Sequence, residues 1–327
     1  MVTRRRLLLV SPMGCVLWSP LQAQPRPKLI GVLVPGPSAD LAPAKDEFIR
    51  AMRNLGYIEG THFVIVIRAA EGEDERLPAL AEELVKLNVS LILADTSTAV
   101  KAAQRATANI PIVFGNVGNP VAAGFAESLS RPGRNMTGLS NIAGLAGQLV
   151  FKQLELLKQM VPVLARVALL LNPASPYYSK SDKDIKVREG LGLSTYPVTA
   201  STVEELEPAF KSMSAFRAEA VLVTSDPYFG VRRQQIAALA LRSRLPSMFG
   251  FSSGVLAGGL MSYSADSIDG ILQVATYVDK IFKGAKPGDL PIQQPTKFEL
   301  FINRRTADAL QLKIPQTLLL QAAKVID

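Results

Sequence analysis

One cysteine and one histidine occur among the 327 residues. The cysteine, Cys15, lies within the first 23 residues, so a chain cut after Ala23 has no thiol. Disulfides and cysteine-ligated metal sites are then excluded. His62 is the sole imidazole, so a serine–histidine catalytic pair has no other base to draw on. His62 itself follows a turn and begins an expected strand, the position of an ordinary surface histidine. Two phosphate-binding patterns are also missing. The stretch "KLIGVLVPGPSAD" (28–40) has the shape of a buried strand ending in a loop. Gly31 falls inside the strand and Gly36 stands alone, so the G-x-G-x-x-G dinucleotide turn is not formed. No glycine-rich loop ends in Gly-Lys-Ser/Thr. No cofactor and no metal is expected.

What is present begins with a leader. Arg4, Arg5 and Arg6 precede an apolar stretch from Leu7 to Trp18, and Leu21-Gln22-Ala23 supplies a small residue at a cut. This is the order of a secretory signal peptide, residues 1–23. The stretch is shorter than the ~20 residues of a membrane span and is broken by Pro12. Cys15 after Gly14 could carry lipid, but Pro12 stands where such signals usually have leucine, so lipid anchoring is not expected. Removing three arginines with the leader lowers the formal charge from +8 to +5. That excess has no Lys/Arg cluster, and nucleic-acid binding is not expected. The expected location is the periplasm.

From Lys28 onward strand and helix patterns alternate, which favours parallel sheets covered on both faces. Strands are expected at Leu29–Val34, Phe63–Arg68, Val89–Ala94 and Pro111–Phe114. The plan then repeats, with strands at Arg166–Leu171, Leu193–Val198, Ala220–Thr224 and Pro246–Phe249. "ANIPIVFGN" (108–116) parallels "SRLPSMFGF" (243–251), and "KLIGVLVPGPS" parallels "RVALLLNPASP". The fold class is therefore α/β: two Rossmann-like lobes with parallel sheets. The expected division is 28–140 plus 250–285 for lobe one and 141–249 plus 286–327 for lobe two. Crossings are placed near Ser140, near Gly250 and in Gly284–Pro291.

Open sheets of this type bind ligands beyond the carboxyl ends of their strands. Facing lobes would bring those loops to one cleft. Lobe one contributes Ser38 after the first strand. Thr96, Ser97 and Thr98 open a helix, where free N–H groups and hydroxyls suit a carboxylate and equally serve as helix caps. Asn116 lies just past the fourth strand. Lobe two contributes Asn172 and Ser175, and Asp226, which suits a ligand ammonium or a plain Asp-Pro turn. Tyr177 and Tyr228 offer rings to an apolar or planar ligand. Ser252 lies near a return crossing. Carboxylate pairs such as Asp182/Asp184 and Glu204/Glu205 sit on solvated helix faces and form no acid–base site.

Several blocks carry a resemblance: "FIRAMRNLGYIEGTHFVIVIRAAEGEDERLPALAEELVKLNVSLILA", "IPIVFGNVGNPVAAGFAESLSRPGRNMTGLS", "GGLMSYSAD", "YVDKIFKGAKPGDLPIQQPTKFELFINRRTADALQLKIP" and the closing "AAKVID". From about Lys28 to Asp327 the chain resembles the ABC-transporter substrate-binding family of the tryptophan/tyrosine uptake type. The resemblance implies a type I periplasmic-binding-protein fold joined by a multi-segment hinge, and delivery of a small solute to ABC permease subunits in the inner membrane; a monomer with no enzymatic activity is expected. An amino acid or other small carboxylate is the expected solute. Two positions depart from the family pattern. Asn119 stands where an aspartate usually precedes Pro-Val, removing a carboxylate placed near the cleft mouth. Arg134 replaces a glycine in a surface turn. The competing expectations are a ligand-sensing module for a membrane receptor, and an exported α/β enzyme.

Overall fold

A computed structural model of the chain describes residues 26–140, 146–174 and 191–327. The leader and residues 175–190, with the candidates Ser175 and Tyr177, lie outside the described residues. In chain order the strands are β1 (Lys28–Val34), β2 (Phe63–Ala69), β3 (Leu91–Ala94), β4 (Ile112–Val117), β5 (Met136–Ser140), β6 (Arg166–Leu171), β7 (Ser194–Thr199), β8 (Ala220–Val223), β9 (Ser247–Phe249), β10 (Met261–Ala265), β11 (Phe298–Asn303) and β12 (Ala322–Ile326). The helices used below are α1 (Ala42–Asn54), α2 (Leu77–Lys86), α3 (Ser97–Ala106), α4 (Ala146–Met160), α5 (Val203–Ala215), α6 (Pro227–Val231), α7 (Arg233–Arg242), α8 (Ser253–Leu256) and α9 (Ser267–Phe282).

Two sheets form. The first has the order β2-β1-β3-β4-β5 and the second β12-β11-β10-β9-β8-β6-β7. Five strands of the second sheet, β7-β6-β8-β9-β10, repeat the order of the first. The repeat seen in sequence therefore extends one strand further, to Met136–Ser140 and Met261–Ala265. All pairings are parallel except β10 with β11. That antiparallel pair lies where β11 and β12 extend the second sheet beyond its five parallel strands.

Alternation along each strand divides the core in two. In β1, Ile30 faces Phe48 and Met52 of α1 and Ala275 and Val278 of α9. Leu33 faces α2 and α3 on the other side. Gly31 shares that second side because a Cβ there would lie 3.0 Å from a Leu84 methyl. In lobe two, Leu169 and Leu171 of β6 pack with Leu154, Leu157 and Met160 of α4. Ala168 and Leu170 pack with Phe210 of α5 and Ile236 of α7. A sheet buried on both faces reads as a continuous apolar run, as "RVALLL" does.

The lobes exchange helices. Chain leaving β5 enters α4, which covers the second sheet, and chain leaving β10 enters α9, which covers the first. The second crossing thus falls at Ala265–Ser267, not near Gly250, and 250–265 belongs with lobe two. The expected boundary failed because the Phe-Gly steps at 114–115 and 249–250 each precede a further strand of the same sheet. After α9 the chain stays with lobe one through Ile292, whose side chain joins that core, and Gln293 bridges to Leu139. The third crossing falls between Gln293 and Phe298, beyond the expected 284–291. Tyr277 of α9 ties this return segment by donating its hydroxyl to the Pro291 carbonyl. Burial pushes that phenol up to about 12.

Strands β4 and β5 approach very closely at Gly138. A Cβ there would sit 2.0 Å from the Phe114 carbonyl oxygen, at a φ of +148°. The obstructing atoms are backbone and cannot turn aside. Gly138→Ala is expected to cost about 3 kcal/mol or more, read as a lowered urea midpoint. An unchanged midpoint would show that the strands have room to separate.

Candidate functional site

In the 2-1-3-4-5 order, the strand order reverses between β1 and β3, and in lobe two between β6 and β8. Loops leaving those strands in opposite directions open a crevice at the carboxyl edge. The two edges face each other, and the lobes touch. Arg233 Nη2 donates to Asp40 Oδ2 at 2.6 Å across the gap. A Cβ on Gly72 of lobe one would come within 3.7 Å of Val231 and Arg232 of lobe two.

One part of the cleft is polar. Thr96 caps α3, accepting from the Ala99 N–H at 3.4 Å, and its hydroxyl lies 3.0 Å from that of Thr98. Ser97 is buried, and its hydroxyl has no hydrogen-bond partner among the described residues. Across the gap, Asp226 caps α6. Its Oδ1 accepts from Asn172 Nδ2 at 3.0 Å and from the Tyr228 N–H at 2.9 Å. The Arg232 guanidinium stands 5.4 Å from the Tyr228 ring centre, and burial raises the Tyr228 phenol. Asp74 joins this group. Burial, then the neighbouring Glu75 charge, raises its carboxyl, while a hydrogen bond with Thr98 works the other way. The Asp226 carboxylate and the Arg232 guanidinium also act on Asp74, so the two lobes sense one another electrostatically here.

The other part is a cavity of about 410 Å³. Its floor is the face of the first sheet bearing Val32, Ile65, Leu93 and Val113. Its walls are Leu41, Ala44, Lys45 and Phe48 from α1 with its preceding turn, and Gly270, Ile271 and Val274 from α9. Ser225, Phe251, Ser252 and Ser264 close it from lobe two, and Pro295 and Phe298 from the hinge side. The lining is chiefly apolar. Asp95 is the exception in its floor. It continues the alternation of Leu91 and Leu93 one step past the end of β3. Its carboxylate has open surface, but that surface faces the cavity, and protein surrounds the group. Desolvation raises its pKa, with no opposing cation or donor among the described residues. Gly115 on β4 leaves room for it, since a Cβ there would lie 3.1 Å from Asp95 Oδ1. Lys45 is the basic side chain of the described lining; its ion pair with Glu59 is loose, at 3.6 Å.

The expected residues are distributed over these two parts. Thr98 of lobe one and Asp226 of lobe two both act on Asp74, Asn172 and Tyr228 bond to Asp226, and Thr96 and Ser97 lie at the same helix start as Thr98. Ser252 lines the cavity. Ser38 stays exposed at the rim, its N–H donating to Glu71 at 3.1 Å. Asn116 falls inside β4, beside the lining residue Gly115, and not past the strand end. Asn119 is placed differently from its expectation. It is absent from the described lining, and its Oδ1 accepts from the Ala122 N–H within its own turn at 3.0 Å. An aspartate at 119 could cap that turn equally well, so this departure removes no carboxylate from the cavity lining. Sequence reasoning missed Asp95, Lys45 and Phe251. For Asp95 the signal was available: period-two alternation puts it in phase with Leu91 and Leu93.

These features are those of a two-lobed solute-binding protein of the type I periplasmic-binding-protein fold, and comparison with known proteins agrees. Residues 29–326 match the family described as ABC transporter substrate binding protein. A tyrosine-binding protein of Clostridioides difficile (strain R20291) is 27% identical over 291 residues, 88% of this chain and 81% of that relative. The structure of an ABC domain from Streptococcus pneumonia in complex with L-Trp superposes with a TM-score of 0.81 at 22% identity, covering 92% of this chain and all of that one (100%). A conserved domain protein from Vibrio cholerae O1 biovar eltor str. N16961 gives the same TM-score at 24% identity, covering 91% and 99%. The chain belongs to the ABC transporter substrate-binding protein family.

The Arg233–Asp40 bridge spans the cleft at its solvent edge. Exposed pairs of this kind contribute at most about 1 kcal/mol. Asp40→Asn should therefore weaken ligand binding by less than about 5-fold at low salt, with the difference disappearing near 0.5 M salt as screening sets in. A loss that persists unchanged at high salt would show that Asp40 does more than close the lobes.

Proposed function

We propose that this protein is the extracytoplasmic solute-binding component of an ABC uptake transporter and clamps an amino acid, or another small carboxylate with an apolar body, between its lobes. The cavity carries this reading. Its volume falls in the range of small-molecule sites, about 300–1,000 Å³, and residues of both lobes and the hinge close it. An apolar body fits the space under α1 and α9. A carboxylate suits the start of α3, where the buried Ser97 hydroxyl has no described partner and first-turn N–H groups are unsatisfied by the helix itself. The tyrosine-binding relative and the L-Trp complex support an aromatic amino acid. Binding and release by hinge closure need no chemical step, so the protein acts without catalysis. The leader at residues 1–23 supports export to the periplasm, and no helix among the described residues is long and apolar enough to cross a membrane. The protein works as a monomer, presenting its closed form to the permease.

A thermal-shift screen tests the ligand class. A true ligand at about 100 times its Kd stabilises the folded state by about 2.7 kcal/mol, a rise of roughly 5 °C or more. L-tyrosine or L-tryptophan is expected to give that rise, and Ser97→Ala to weaken the same ligand about 10-fold through a lost hydrogen bond. A rise with a sugar or nucleoside, and none with any amino acid or aromatic acid, would overturn the ligand class.

A further inference from the structure

The charged residues lining the cavity differ in how they are engaged. Asp266 caps α9, accepting from the Ile268 and Asp269 N–H groups at 2.9 and 3.2 Å. Asp269 is paired with Lys297 at 3.1 Å and bonded to Gln273. Lys45, on α1, stands beside Glu59. Asp95, on the sheet floor beside Gly115, has neither ion pair nor hydrogen bond among the described residues. A lone carboxylate in apolar surroundings is costly unless a cation meets it or it takes up a proton. Nothing in the local backbone uses it either: Thr96, not Asp95, caps α3.

We propose that Asp95 is the cation-accepting group of this cavity and sets its selectivity, requiring a protonated amine on the solute beside the apolar body. This rests on the solute-binding reading above and deepens it. The solute's ammonium replaces the missing partner, in a charge-assisted hydrogen bond inside a desolvated space. The carboxylate of an α-amino acid, on the same carbon as the ammonium, then lies toward the α3 start two residues along the chain. Gly115 is part of the device, because any side chain there would crowd the Asp95 oxygens. In this arrangement Asp226 keeps its structural role, with Oδ1 already accepting two hydrogen bonds.

The test uses matched pairs on the purified protein: L-tyrosine against 3-(4-hydroxyphenyl)propionate, and L-tryptophan against indole-3-propionate, each by calorimetry. The members of a pair differ only in the amine. In wild type the amine should be worth about 30-fold or more in Kd, and in Asp95→Asn the ratio should shrink to within about 3-fold, as expected when one partner of a buried charge pair is removed. Retained propionate binding by the variant shows that it is folded. A wild-type ratio near one, or a ratio unchanged in Asp95→Asn, overturns the role of Asp95 and leaves the ligand class standing. Binding of none of the four compounds to wild type overturns the ligand class and this proposal with it. A pH series on wild type needs no variant. Because burial raises the Asp95 pKa, amino-acid affinity should fall as pH drops through that raised value, while propionate affinity does not fall in parallel. Parallel profiles for the two members of a pair count against Asp95.

Discussion

Both sheets are buried on both faces, and the helix closing one face of each comes from across the hinge. Parallel strands demand such cover, because their crossovers place helices on either side and leave no face for solvent. Here α4 follows a strand of lobe one yet seals lobe two, and α9 follows a strand of lobe two yet seals lobe one. Neither sheet can complete its core without chain from the other. The hinge is therefore part of the hydrophobic packing of both lobes, and relative motion of the lobes must leave the β5–α4 and β10–α9 joints intact.

The site follows from this exchange. Helices α1 and α9 lie on the same face of the first sheet and pack closely along its lower strands, through Phe48, Met52, Ala275 and Val278. Toward the carboxyl edge the residues facing inward are small, Ala44 and Gly270, and the sheet floor opens into the cavity. Lobe two closes over the opening with the short turns after β8, β9 and β10. A ligand there touches the exchanged helix α9, its parent strand β10 and the opposing sheet. On the proposed function, contact with all three would let occupancy favour a closed arrangement, since a ligand shifts an equilibrium only by its differential contacts with the two states.

Much of the candidate site was readable from strand ends alone. Of the residues placed by the strand-end rule, Thr98 and Asp226 both act on Asp74, and Asn172 and Tyr228 bond to Asp226. What that rule omits is the face on which a strand-end side chain points. Asp95 and Thr96 are adjacent in sequence, yet one looks into the apolar cavity and the other onto its own helix. Lys45 and Phe251 were invisible for another reason: their relevance depends on α1 and the β9 turn leaning over the same space, which no local pattern records.

The sequence by itself determined the two α/β repeats and the places where most of their strands end. Those are properties of local periodicity and composition, written residue by residue. Only the tertiary structure decided which lobe owns 250–265, where the chain crosses, and that an aspartate on the cavity floor has no partner among the described residues. The physical reason is that crossings and cavities arise from long-range packing. α9 has the same amphipathic pattern whichever sheet it covers, and the choice between sheets is made by the fit of its apolar face against Ile30, Leu91 and their neighbours.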